Sequence, residues 1–74
     1  MKIIMEPTTK FVDVNGVRTR VWQGKTERGI QCHAYIALIG VARTENAIEF
    51  DEELKEVEAP RADLLAIPAR MILG

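Results

Sequence analysis

The sequence predicts an α+β fold, an antiparallel β-meander of three or four strands with one amphipathic helix after it. Three observations carry that expectation. Asn15-Gly16 sits between β-branched residues, Gly24 and Gly29 bracket a polar run between two apolar stretches, and residues 49–59 are rich in Glu, Leu, Lys and Ala.

The first turn is Val14-Asn15-Gly16-Val17. Asn and Gly both tolerate positive φ, as a two-residue type I′ hairpin turn requires. Such a loop fixes the register: Val14 opposite Val17, Asp13 opposite Arg18, Val12 opposite Thr19 and Phe11 opposite Arg20. The second turn reads as a four-residue loop between Gly24 and Gly29, which sets Val21 opposite Cys32, Arg20 opposite His33, Thr19 opposite Ala34 and Val17 opposite Ile36.

Side chains alternate across a sheet, so these registers sort residues into two faces. One collects Val12, Val14, Val17, Thr19, Val21, Cys32, Ala34 and Ile36. The other, the candidate interaction face, collects Phe11, Asp13, Arg18, Arg20, Trp22, Gln31, His33 and Tyr35.

Lys2 to Met5 is a candidate leading strand, ended by Glu6-Pro7. The third strand is expected to run on to Ala42, so that the sheet spans about 10–42. From Ala37 to Ala42 both faces are apolar, which asks for cover on both sides. Ala37, Ile39 and Val41 are therefore the candidate dimer or cover face. The helix is expected over about 50–58, with Phe50, Leu54 and Val57 as its apolar stripe and Asp51 as N-cap. Thr44 is a rival cap for a longer helix, and Pro60 ends either version. The tail 61–74 is too apolar to be a solvated end, with Leu64, Leu65, Ile67, Met71, Ile72 and Leu73, and Pro68 divides it into two short pieces.

A chain of 74 residues is one small domain, and at that size a core is marginal. One cysteine rules out an internal disulfide, and no Cys/His spacing suggests a structural metal, so self-association is the remaining common remedy. A homodimer is expected. Met1 to Met5 is too short for a secretion signal and Ala34 to Ala42 too short for a membrane span, so a cytoplasmic protein with no membrane association is expected. Charge is uneven. Residues 9–43 hold six basic and two acidic side chains, whereas 45–58 hold seven acidic and one basic.

Searches for chemistry find little. Gly24-Lys25-Thr26 matches the end of a P-loop, but Thr19 occupies the place of the first glycine and a strand, not a helix, follows. The chain has no serine. Cys32 and His33 are strand neighbours pointing to opposite faces, which forbids a thiolate–imidazole pair, and Cys32 reads as a small core residue. His33 lacks ligand partners, and Asp13 lies two strands away from it as a general-base partner. Asp51, Glu52, Glu53 and Glu56 lack a calcium-loop spacing. No catalytic residue, cofactor or metal is assigned, and an enzyme is not expected.

The polar-aromatic face is what remains. Phe11 and Trp22 flank Arg20, which can stack between them, and Asp13 can pair with Arg18. Trp, Tyr and Arg are enriched at binding hot spots. Aromatics with Arg on a sheet also suit single-stranded nucleic acids. The run Arg20 to Ile30, Arg-Val-Trp-Gln-Gly-Lys-Thr-Glu-Arg-Gly-Ile, together with the Asn15-Gly16 turn, resembles small uncharacterised proteins carried by phages and prophages. The resemblance implies phage or prophage origin and a bacterial cytoplasm; it implies no activity and transfers no site. The function expected is a non-enzymatic protein-interaction module acting as a homodimer through its sheet. The alternative is a single-stranded nucleic-acid platform, which the acidic segment disfavours.

Overall fold

The computed structural model describes residues 1–68 and 70–71. Its elements are β1 (Ile3–Val14), β2 (Val17–Thr26), β3 (Gln31–Ile36), α1 (Ala47–Leu54), α2 (Ala62–Leu65) and a two-residue β4 (Arg70–Met71). The sheet order is β3-β2-β1-β4, with β1, β2 and β3 an antiparallel meander and β4 parallel to β1. The class is α+β.

All four pairs read from the Asn15-Gly16 turn are present, and both turn residues have positive φ, +50° and +82°. The leading strand, however, does not stop at Glu6-Pro7 but is continuous with the meander. Pro7 stands opposite Trp22, and its carbonyl accepts the Glu58 N–H at 2.9 Å on the other side. Its missing N–H is thus not needed by β2. Register slips between Pro7 and Phe11. Thr8 repairs the slip: its buried hydroxyl donates to the Val21 carbonyl at 2.7 Å and accepts the Lys10 N–H at 3.2 Å.

The second hairpin departs from the expected register. Its loop is Glu27-Arg28-Gly29, closed by Thr26 N–H to Ile30 O at 2.9 Å and Gly29 N–H to Thr26 O at 2.9 Å, with Gly29 at φ +87°. This is a three-residue loop with its glycine in the left-handed region. The pairs are Arg20–Ile36, Val21–Tyr35, Trp22–Ala34, Gln23–His33 and Gly24–Cys32. Relative to expectation β3 has moved by three residues, an odd number, so all its side chains change face. The cause is Gly24, which is a strand residue and not a turn residue. A β-carbon there would collide with the Ile4 carbonyl, so the strands approach more closely than any other residue allows.

The core lies on one face: Val12, Val21 and Leu64, with Val14, Tyr35 and Ile67 packed against them. Leu64 comes from α2, a single turn laid over the sheet. Tyr35 stands where Cys32, Ala34 and Ile36 were expected, and Cys32 is half-buried rather than core. Gln23, also inward and buried, fastens the crossing segment. Its amide donates to Glu58 Oε2 at 3.2 Å and Ala59 O at 3.0 Å, and its oxygen accepts the Arg61 N–H at 2.8 Å. The Arg61 side chain reaches on to the carbonyls of Gly24 and Cys32. Ile72 and Leu73, expected to join the packing, lie outside the described residues.

The helix is shorter and earlier than expected. Asn46, not Asp51 or Thr44, is the N-cap, its Oδ1 accepting the N–H groups of Ile48 at 3.0 Å and Glu49 at 3.1 Å. Residues 55–58 leave the helix because the Glu58 backbone is claimed by β1, through Glu58 N–H to Pro7 O and Thr9 N–H to Glu58 O at 3.0 Å. No residue of α1 is buried; of the expected stripe, Phe50 and Leu54 are half-buried and Val57 is exposed. No described helix is long and apolar enough to cross a membrane.

Candidate interaction face

The face opposite the core is built by alternation along β1 and β2. Phe11 stands opposite Arg20 and Asp13 opposite Arg18, with Trp22 two residues beyond Arg20. The guanidinium of Arg20 lies 4.4 Å from the Phe11 ring centroid and that of Arg18 lies 5.0 Å from it. Each such contact is worth about 0.5–1 kcal/mol at an exposed site. Arg20 is further fixed by Nη1 donating to the Thr8 carbonyl at 2.9 Å. Phe11, and not Arg20, is therefore the centre of the stack. Asp13 and Arg18 form no ion pair; the ion pairs among the described residues are Lys55–Glu52 and Arg61–Asp63.

Of the eight residues expected on this face, Phe11, Asp13, Arg18, Arg20 and Trp22 share it. Gln31, His33 and Tyr35 do not, because the shifted register turns them to the core side. Tyr35 packs on the core, and its hydroxyl lies 3.1 Å from His33 Nε2 with the rings edge to face. His33 and Asp13 therefore lie on opposite faces and cannot act as one acid–base unit.

In place of those three the shift delivers Ile36 and the loop after it. Phe11, Arg20, Trp22, Ile36, Ile39 and Leu54 line an open groove of about 260 Å³. Ala37, Ile39 and Val41, expected on a strand, lie in this loop because β3 ends at Ile36, and Leu38 is 89% exposed. A second cleft, about 520 Å³, is lined by Pro7 and Trp22 of the sheet and by Phe50, Leu54 and Val57.

Glu6 and Glu58 also line this cleft, and their carboxyls share a hydrogen bond. Glu6 is pushed above the ordinary carboxylate range, first by that bond and then by the charge of Glu58. Glu58 is held below it by the same bond and by Gln23. Among the described residues no group of three or more His, Cys, Asp or Glu side chains is placed to hold a metal ion. The arrangement offers stacking, charge and apolar contact.

Sequence reasoning missed Gln23, Arg61 and the Glu6–Glu58 pair. Gln23 had a signal: it continues the inward series Thr19, Val21 at a spacing of two. Comparison with protein-family models, with curated proteins and with solved structures finds no match.

Proposed function

We propose that this chain is a small non-enzymatic protein-interaction module that works as a homodimer through the face carrying Phe11, Arg18, Arg20 and Trp22. One observation supports this most. Two guanidinium groups lie over one ring with no carboxylate of the described chain paired to either, in a groove whose lining residue Leu38 is left in water. Arg and Trp at the edge of an apolar depression are the residue types that dominate binding energy, and the anchoring of Arg20 by the Thr8 carbonyl lowers the ordering cost of binding.

The same stack supports the second reading, a single-stranded nucleic-acid platform, because bases stack on aromatic and guanidinium planes. The acidic helix weighs against it, since Leu54 of α1 lines the same groove and brings its carboxylates close to any phosphate chain placed there.

Sedimentation velocity over the micromolar range, run beside a titration with labelled single-stranded oligonucleotides, tests the proposal. Concentration-dependent dimerisation that Arg20→Ala abolishes, with no oligonucleotide binding, is the expected result. Oligonucleotide binding by a monomer would replace it with the second reading.

A further inference from the structure

We infer that the groove is filled by the outer side of α1 from a second copy of the chain, docked reciprocally. This rests on the homodimer reading above and names what the partner places on the face.

The groove is lined by apolar side chains, among them Trp22, Ile36, Leu38 and Ile39, and by the cationic Arg18 and Arg20. Both guanidinium groups lie over the Phe11 ring, and of their N–H groups Arg20 Nη1 already donates to Thr8 O. Stacking leaves N–H edges of a guanidinium free to meet an acceptor. The complement is therefore a segment with an apolar knob ringed by carboxylates.

The chain carries such a segment. Phe50 and Leu54 of α1 are turned toward their own sheet. At about 100° per residue, Ile48 lies roughly 160° around the helix from Phe50. It is 76% exposed, an isolated large apolar side chain on the outside of the helix. Asp51 and Glu52, three and four residues on, are its neighbours on that side; Glu52 also meets Lys55 Nζ at 3.4 Å, an exposed pair that a guanidinium can outcompete. The surrounding segment 45–58 carries seven acidic residues against one basic.

This outer side cannot reach the groove of its own molecule. The inner side of α1, through Leu54, already lines that groove. The chain is also pinned after the helix, where Glu58 joins β1. A second copy has no such restriction. Each copy supplies one groove and one helix, so a two-fold contact satisfies both and closes at two.

Charge exchange tests the inference on the full chain, with circular dichroism confirming that each variant is folded. Arg18→Glu/Arg20→Glu makes groove and helix both acidic; Asp51→Lys/Glu52→Lys, with Lys55 beside them, turns the side of α1 around Ile48 basic like the groove. Each variant alone is expected to self-associate at least about thirtyfold more weakly than wild type. An equimolar mixture is expected to recover dimer, since every groove then meets a helix of opposite charge. Arg18→Glu alone, which spares the Arg20–Thr8 bond, serves if the double variant does not fold. Loss of dimer in the arginine variant with an unaffected helix variant would overturn this inference and leave the homodimer reading standing. A dimer indifferent to both would overturn the face as well, and a wild-type monomer throughout the micromolar range would overturn both.

Discussion

The side-chain oxygen of Gln23 accepts the backbone N–H of Arg61 at 2.8 Å, joining residues 38 apart in the chain. With its two donated bonds to Glu58 and Ala59, this buried amide makes three polar ties between the sheet and the segment leading to α2. Gln23→Ala removes three hydrogen bonds and strands their partners. The expected cost is about 2–4 kcal/mol, a large share of the stability of so small a domain. Thermal denaturation should show a fall of more than about 10 °C. A change of a degree or two would mean that the segment is held by the Glu58 backbone bonds to β1, the Arg61 guanidinium and packing.

Gly24 and Gly16 are glycines for different reasons, and alanine should separate them. At Gly16 a β-carbon meets nothing within 4 Å, but φ is +82°. Gly16→Ala should therefore cost only about 1–2 kcal/mol of backbone strain. At Gly24 a β-carbon would enter the Ile4 carbonyl and crowd the Met5 backbone. Gly24→Ala must part β1 from β2, so severe destabilisation or failure to fold is expected. Hydrogen exchange gives the local check, with the amides of residues 4–6 losing protection in any Gly24→Ala protein that does fold.

These two glycines also show where the sequence was legible. The Asn15-Gly16 turn specified its hairpin because turn chemistry and register are both local there. The second hairpin contains two glycines, and local rules cannot say which one is the turn. Gly24 is needed by Ile4, twenty residues earlier, which no local pattern reveals. That one ambiguity moved Gln31, His33 and Tyr35 off the candidate face and brought Ile36 onto it. Phe11, Arg18, Arg20 and Trp22 stayed together because they belong to the hairpin that was specified. The helix cap was misplaced for a similar reason. Asn46 lay just outside the apolar stripe used to find the helix, and the stripe's last member, Val57, sits in a stretch drawn off by the β1 backbone.

Among the described residues Leu64 is the one fully buried side chain contributed from outside the meander, at 1% exposure, and it packs with Val12 and Val21. Truncation leaves a cavity that a single-turn α2 can fill only by shifting. Leu64→Ala is expected to cost about 2–5 kcal/mol, and chemical denaturation should give a lower midpoint. Leu65→Ala is the control, since Leu65 is exposed and its loss should stay within about 0.5 kcal/mol. Equal effects from the two would place the tail's contribution outside the core.

The Glu6–Glu58 pair predicts a specific pH dependence. Glu6 is raised above 4.5, chiefly by its hydrogen bond to Glu58, so its contribution is present below 4.5 and is lost as pH rises through its folded value. Glu58 is lowered from 4.5, chiefly by the bond from Glu6, so its contribution is present above 4.5 and is lost as pH falls through its folded value. Both hold together only around the ordinary carboxylate value, where the pair shares one proton. Toward neutral pH that proton leaves and two anions face each other beside the bridge between Thr8 and Glu58. Glu6→Gln supplies the same donor with no proton to lose. Its melting temperature should match wild type near pH 4.5 and exceed it increasingly up to pH 7, an effect reduced by salt because both groups are exposed. Parallel pH profiles for the two proteins would show that the carboxyls do not share a proton in solution.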